Sequence, residues 1–187
     1  MKTNQVRFYQ ILAAVVIIAA ISVALVVHPA AAGVTRVDFV NYNIACSIVS
    51  QNVWVSDDGI VHIRDRVLNS VVTSTSEYHQ GPGHIYANAN ISDPLTGIGT
   101  YFGTLDIYPT AHPDGHWFGN WTMEITENGS QGIARLKGYG SLEGMLSFAS
   151  LTPLPPAELA NFAGLCGGSQ PVAGSYVVGY YLDTKNK

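Results

Sequence analysis

The sequence predicts an all-β fold, a small antiparallel β-barrel with one short helix before the last strand; a β-sandwich is the alternative. Three observations favour it: apolar and polar residues alternate with a period of two, turn residues separate these runs, and glycines lie inside them. Of the 187 residues only 12% are charged, against about 25% in an average soluble domain. Disordered chains, coiled coils and nucleic-acid binders need more charge, so these classes are excluded.

The first 33 residues form a segment of their own. Lys2 and Arg7 precede an apolar run over 11–27, and an alanine-rich cleavage motif follows it. This pattern predicts a signal peptide over 1–33. An uncleaved membrane anchor is the alternative, because the apolar run reaches the lower end of the length that spans a bilayer. In either case residues 34–187 are expected outside the cytoplasm, secreted or in the cell envelope.

A single domain over 34–187 is predicted to contain nine or ten strands. The clearest run begins at Trp117, with apolar residues or glycine at odd positions and mostly polar residues at even ones up to Thr126. An Asp-Asp-Gly sequence at 57–59 predicts a hairpin turn. The predicted strands lie near 35–44, 51–56, 60–68, 70–77, 84–91, 98–108, 116–126, 131–139, 142–150 and 174–182.

A proline-rich insertion over 152–173 interrupts this pattern. Three prolines between 153 and 156 are followed by good helix formers, which predicts one or two turns of helix. The last strand is apolar on both faces over 176–182, so the helix is expected to cover it. Glycine weakens a strand and is kept where a sheet bends sharply or another backbone comes close. The glycines inside the runs therefore favour a barrel over a sandwich.

Two cysteines, Cys46 and Cys166, stand near the two ends of the domain. An even number of cysteines in an exported chain predicts one disulfide between them. Two buried free thiols or a pair of metal ligands are the alternatives. No C-x-x-C or Cys/His spacing supports a zinc site.

Glycine and tryptophan motifs over about 52–150 resemble a known group of proteins. The motifs are Gly97-Ile-Gly with Gly103, Gly115-His-Trp-Phe-Gly-Asn-Trp, Gly138-Tyr-Gly-Ser-Leu-Glu-Gly and His62-Ile63-Arg64. They are similar to those of uncharacterised bacterial calycin-type barrels related to allene oxide cyclase and dirigent proteins. The resemblance implies a closed barrel, and it is the one reason to consider a cyclase or isomerase activity.

Polar residues on two predicted strands are the candidate ligand site. His62, Arg64 and Arg66 alternate with Val61, Ile63 and Val67 and are expected on one face. If that face points outward, the row is a solvated surface. If it points inward, it lines a pocket for an anionic or carbonyl-containing ligand. Trp117 and Trp121 are expected in the core, with a place in the pocket wall as the alternative. The candidate ligand-binding residues are His62, Arg64, Tyr86, Asn88, Trp117 and Trp121.

No catalytic residue, metal site or cofactor is predicted. His79 and His84, and likewise His112 and His116, flank turns with proline and glycine, where histidines are expected to be solvated. No G-x-S-x-G nucleophile elbow occurs. The acidic residues between 114 and 143 are expected on the surface, so they do not form a catalytic pair.

Three functions remain open on this evidence. The first is an exported, non-enzymatic barrel that binds a small, partly apolar or carbonyl-containing ligand, which a cavity below about 100 Å³ would exclude. The second is a structural or interaction module of the cell envelope, which self-association through an exposed apolar patch would favour. The third is a cyclase- or isomerase-like enzyme, which requires a buried polar group beside an apolar slot. Membrane contact is expected only through the N-terminal segment and only if that segment is not cleaved, and nucleic acid is not expected as a partner.

Overall fold

The computed structural model describes residues 34–184 and confirms the barrel. Each antiparallel strand pairs with its neighbour in sequence, and the last strand pairs with the first, so the sandwich alternative is wrong. The export signal or anchor predicted over 1–33 lies outside the described residues. The strands are β1 (Thr35–Val55), β2 (Val61–Ser74), β3 (Gly81–Asp93), β4 (Ile98–Ile107), β5 (Gly115–Thr126), β6 (Gly129–Gly140), β7 (Leu146–Pro153) and β8 (Ala173–Asp183).

The described strands are fewer and longer than predicted. The runs near 35–44 and 51–56 are continuous as β1, and those near 60–68 and 70–77 are continuous as β2. Shifts in the pairing of β1 with β2 take up the irregular residues between the runs, so polar interruptions do not end the strand. The hairpin turn at 57–59 is confirmed, and Gly59 adopts φ 82° there.

A bulge in β2 reverses which face its side chains occupy. Ile63 is opposite Ala89, whereas the next pair joins Arg66 to Ala87, so two residues on β2 lie opposite the single residue Asn88 on β3. Asp65 adopts φ 52° at this point, the one non-glycine residue with positive φ among residues 34–184. Because each extra residue inverts the alternation of a strand, Arg66 points into the barrel and Arg64 points out of it.

The barrel has an open end and a closed end. The open end carries the β1–β2, β3–β4 and β5–β6 turns, and the closed end carries the β2–β3, β4–β5 and β6–β7 connections. Trp117, Leu142 and Met145 are fully buried at the closed end, and Trp117 Nε1 donates a hydrogen bond to the carbonyl oxygen of Tyr78 at 2.6 Å. The strand predicted over 142–150 begins later than expected, at Leu146 of β7. Leu142 belongs instead to a turn that fills the barrel end.

The predicted short helix is confirmed between β7 and β8. Helix α1 (Pro156–Leu159) continues as a 3₁₀ helix (Ala160–Cys166), which Gly167 ends in the left-handed conformation. The segment covers the outer face where β1 meets β8, because the Phe162 ring lies 5.0 Å from that of Tyr42. Cys166 at its end forms the predicted disulfide with Cys46 of β1, with 5.2 Å between the two Cα atoms.

Gly103 of β4 shows why glycine is needed within the barrel wall. A Cβ atom at this position would overlap the carbonyl oxygen of Tyr86 on β3. We expect Gly103→Ala to lower the free energy of unfolding by about 1–3 kcal/mol, since the backbone must move to admit a methyl group. Urea denaturation measures the change. Gly164→Ala is the matched control, because its Cβ would meet open space; an equal loss in both variants would contradict the steric explanation.

Candidate functional site

A cavity of about 240 Å³ occupies the interior of the barrel toward the open end. Its wall is mainly apolar, as in most small-molecule sites, and Trp121 and Met123 of β5 form part of this apolar wall. Two titratable side chains, Arg66 and Tyr101, also line it. The remaining lining residues are Asn43, Ala45, Leu68, Ile85, Ala87, Leu105, Ile125, Leu151, Pro153, Ala173, Gly174 and Ser175.

Arg66 is the one cationic group that lines this cavity. Its Nε donates a hydrogen bond to Gln51 Oε1 at 2.8 Å. Among residues 34–184 the one ion pair is Arg36–Asp38, so no carboxylate lies at ion-pair distance from Arg66. Burial lowers the pKa of the guanidinium, which nevertheless stays charged at neutral pH. A half-buried cation without an acidic partner favours an anionic or strongly polar ligand group.

Tyr101 and Trp121 turn their rings toward the cavity and their polar atoms toward the wall. The Tyr101 hydroxyl donates to the carbonyl oxygen of Gly97 at 2.7 Å, and Trp121 Nε1 donates to that of Thr104 at 3.2 Å. Burial raises the pKa of Tyr101, and the charge of Arg66 opposes this rise. The phenol therefore remains protonated at neutral pH, and both rings supply flat apolar surface.

Buried polar atoms continue along the barrel axis beyond the main cavity. Asn43 Oδ1, Ser70 Oγ and His79 Nδ1 are buried without a hydrogen-bond partner. Asn43 lines both the main cavity and a deeper void of about 20 Å³, which His79 and Ser147 also line. A void of this size has room for one water molecule. The interior thus combines an apolar slot with unsatisfied polar groups at its inner end.

His79 is buried in the barrel core, so the prediction of a solvated histidine is wrong at this position. Its side chain is 1% exposed, its ring stacks on Trp117 at 4.8 Å, and it lies 4.0 Å from the Phe39 ring. Its Nε2 is 3.1 Å from Ser147 Oγ. Burial lowers the pKa of His79 to about 3, because the apolar surroundings disfavour the imidazolium.

The structure divides the six predicted site residues between the two faces of the barrel wall. Trp121 lines the cavity and Trp117 packs in the core at the closed end. His62 and Arg64 point outward, because they precede the bulge in β2. Tyr86 and Asn88 also point outward, since they pair with outward-facing residues of β4. The inward alternative for these four residues is therefore not the arrangement found.

His62 and Arg64 belong to a satisfied cluster on the outer surface. Arg64 donates to the carbonyl oxygens of Ile63 and Ala89 at 2.8 and 2.7 Å, and to Asn90 Oδ1 at 2.7 Å. His62 Nδ1 lies 2.9 Å from the same Asn90 oxygen. Both ring nitrogens of His62 and three of the five N–H donors of Arg64 are thus engaged with strand backbones or surface side chains.

The most important pocket residues were not among the predicted ones. Arg66 carries a visible signal, since it is an arginine in a strand, but simple alternation assigns it to the face of His62 and Arg64. Tyr101 follows the glycine-rich run 97–103, and nothing in that run distinguishes a cavity tyrosine from a surface one. His79 has no local signal because its burial results from a connection that folds into the barrel end.

A larger concavity of about 690 Å³ lies on the outside of β6, β7, β8 and β1. The Arg36–Asp38 ion pair and the stacked rings of Phe148 and Tyr180 border it. It is an open groove between surface side chains, whereas ligand sites enclose most of their ligand. The interior cavity is therefore the better candidate.

These features define the class of the protein: a closed eight-stranded barrel with a small, mainly apolar interior cavity that one cationic side chain lines. Comparison with protein-family models, with curated proteins and with solved structures finds no match. The resemblance to barrels related to allene oxide cyclase stays a prediction. The intramolecular disulfide fits an oxidising, extracytoplasmic environment. Within residues 34–184, no helix has both the length and the apolar character needed to cross a membrane.

Proposed function

We propose that this protein is an exported, non-enzymatic barrel that binds one small, partly apolar ligand in the interior cavity. The observation that carries the proposal is the cavity of about 240 Å³ with Arg66 in its lining and no acidic partner beside it. An apolar body fits against Trp121 and Met123. A carboxylate, another anionic group or a carbonyl of the ligand accepts hydrogen bonds from Arg66.

A cyclase- or isomerase-like activity is the second candidate, because buried polar groups do lie beside the apolar slot. The titratable groups of the cavity favour ligand binding without catalysis over an enzymatic reaction. Arg66 and Tyr101 are the two such groups lining the cavity, and neither exchanges a proton readily near neutral pH. His79 lines the deeper void and is held neutral by burial.

Native mass spectrometry of the protein purified from its own host tests the proposal without assuming a ligand. We expect a co-purifying small molecule that is released on denaturation. The absence of such a molecule, together with no uptake of phenylpropanoate or of its neutral amide, would contradict ligand binding.

Arg66→Gln is expected to weaken binding of an anionic probe about tenfold to a hundredfold, since a charge-assisted hydrogen bond contributes roughly 1.5–3 kcal/mol. The probes are phenylpropanoate and its neutral amide, with affinity measured by calorimetry. The amide should lose less affinity than the carboxylate in this variant. Arg64→Gln is the matched control, because it removes a cation two residues away on the outer face. Equal losses in both variants would place the probe outside the barrel.

A further inference from the structure

The end of β1 forms a free sheet edge. β1 pairs with β8 from Thr35 to Ala45, where the pairing ends. Seven of the nine residues of Ser47–Val55 pair with β2 on one side. On the other side, no strand within residues 34–184 pairs with them. All nine are exposed. The disulfide at Cys46 ties β1 to the insertion where this edge begins, so the base of the projecting hairpin is held in place.

This edge lacks most of the features that protect exposed strands. Residues 39–56 contain no charged residue and no proline, which are the usual means of preventing edge pairing. Val49 is 60% exposed and Val53 51% exposed, and Trp54 is exposed beside them. Three shifts in the pairing with β2 are present. They leave Val49 and Gln51 without a partner on β2.

The order of residues along the edge identifies its partner. The segment Ser-Ile-Val-Ser-Gln-Asn-Val-Trp-Val is nearly palindromic in polarity about Gln51. If two copies pair antiparallel around this residue, Val49 of each copy faces Val53 of the other and Ile48 faces Trp54. The polar residues Ser50 and Asn52 face each other likewise. Apolar side chains thus meet apolar ones and polar side chains meet polar ones, as favourable cross-strand pairs require.

We propose that Ser47–Val55 is a dimerisation edge, through which two copies of this chain pair antiparallel around Gln51. The contact uses the same edge on both copies, so it is isologous and closes at a dimer. It joins the two barrels by main-chain hydrogen bonds, in the manner of β-strand addition. The partner is a second copy because the palindromic polarity matches the edge to itself.

Sedimentation of the full chain across a wide range of concentration tests the proposal. We expect a reversible dimer, and we expect Val49→Lys to weaken dimerisation about tenfold or more, since each dimer then places two lysines opposite Val53. Combining Val49→Lys with Val53→Glu should restore dimerisation, because lysine and glutamate then face each other at both contacts. Leu95→Lys is the matched control: it adds the same charge to an exposed leucine in the β3–β4 turn, which β2 separates from the edge.

Circular dichroism and thermal unfolding show whether each variant keeps the fold, so a loss of dimer is distinguished from a loss of structure. A protein that stays monomeric at all concentrations overturns the proposal, even if it takes up an extended peptide instead. So does a dimer that Val49→Lys leaves as tight as before. A double variant that fails to regain dimerisation while remaining folded overturns the register around Gln51.

Discussion

Replacing both Cys46 and Cys166 with serine is expected to lower the free energy of unfolding by about 4 kcal/mol. The bond joins residues 120 apart, and in the chain-entropy account a loop of that length restricts the unfolded chain by roughly 4–5 kcal/mol. We expect little of this stabilisation to be offset in the folded protein, because the Cα separation of 5.2 Å lies in the ordinary range of about 4.4–6.8 Å. Urea denaturation of the oxidised protein and of the variant measures the difference.

The insertion should loosen before the barrel does. Phe162 and the disulfide hold the 3₁₀ helix against β1, so amide exchange over 156–166 is expected to accelerate more than exchange in β5. The wild-type protein treated with a reductant is the control and should match the serine variant. An unchanged denaturation midpoint, or free thiols in the native protein, would contradict the prediction.

Acidification from pH 7 to pH 4 is expected to lower stability by about 3 kcal/mol through His79 alone. Burial lowers its pKa from 6.5 to about 3 in the folded protein. Between these two values the unfolded chain binds a proton that the folded protein does not. The contribution of His79 to the free energy of unfolding is therefore fully present above about pH 6.5, and it is lost as the pH falls toward 3.

His79→Phe isolates this contribution, because phenylalanine retains the stacking against Trp117 and does not titrate. We expect its unfolding free energy to fall less steeply between pH 6.5 and pH 4 than that of the wild type. His84→Phe makes the same replacement on the outer face of β3 and should keep the wild-type slope. Parallel slopes for the wild type and His79→Phe would show that His79 does not carry the effect.

The elements that sequence reasoning predicted well are those controlled by local chemistry. The alternation from Trp117 to Ile125 indicates a half-buried strand, and Asp57-Asp58-Gly59 indicates a tight hairpin. The prolines before residue 157 mark a helix start in the same local way. The cysteine pair was also predictable, since an oxidising compartment and an even count leave one intramolecular bond.

The candidate site was less predictable, because one residue decided which side chains enter the barrel. Simple alternation places Arg66 with His62 and Arg64 on one face. The bulge at Asp65 inverts the alternation after His62 and Arg64, so these two side chains point outward and Arg66 points into the cavity. Alternation alone did not distinguish Arg66 from the other two. Asp65 does stand where the alternation of Val61 and Ile63 calls for an apolar residue, but this irregularity alone does not show that the chain absorbs it as a bulge.

By itself, then, the sequence determined the β class, the hairpin turn at 57–59, the short helix and the disulfide, because each depends on neighbouring residues or on a count. The tertiary structure alone decided the rest. Closure of β8 onto β1 ends at Ala45 and leaves the edge Ser47–Val55 free. Folding of the β2–β3 connection into the barrel end buries His79. Each of these results from contacts between residues far apart in the chain, whose energies no local pattern records.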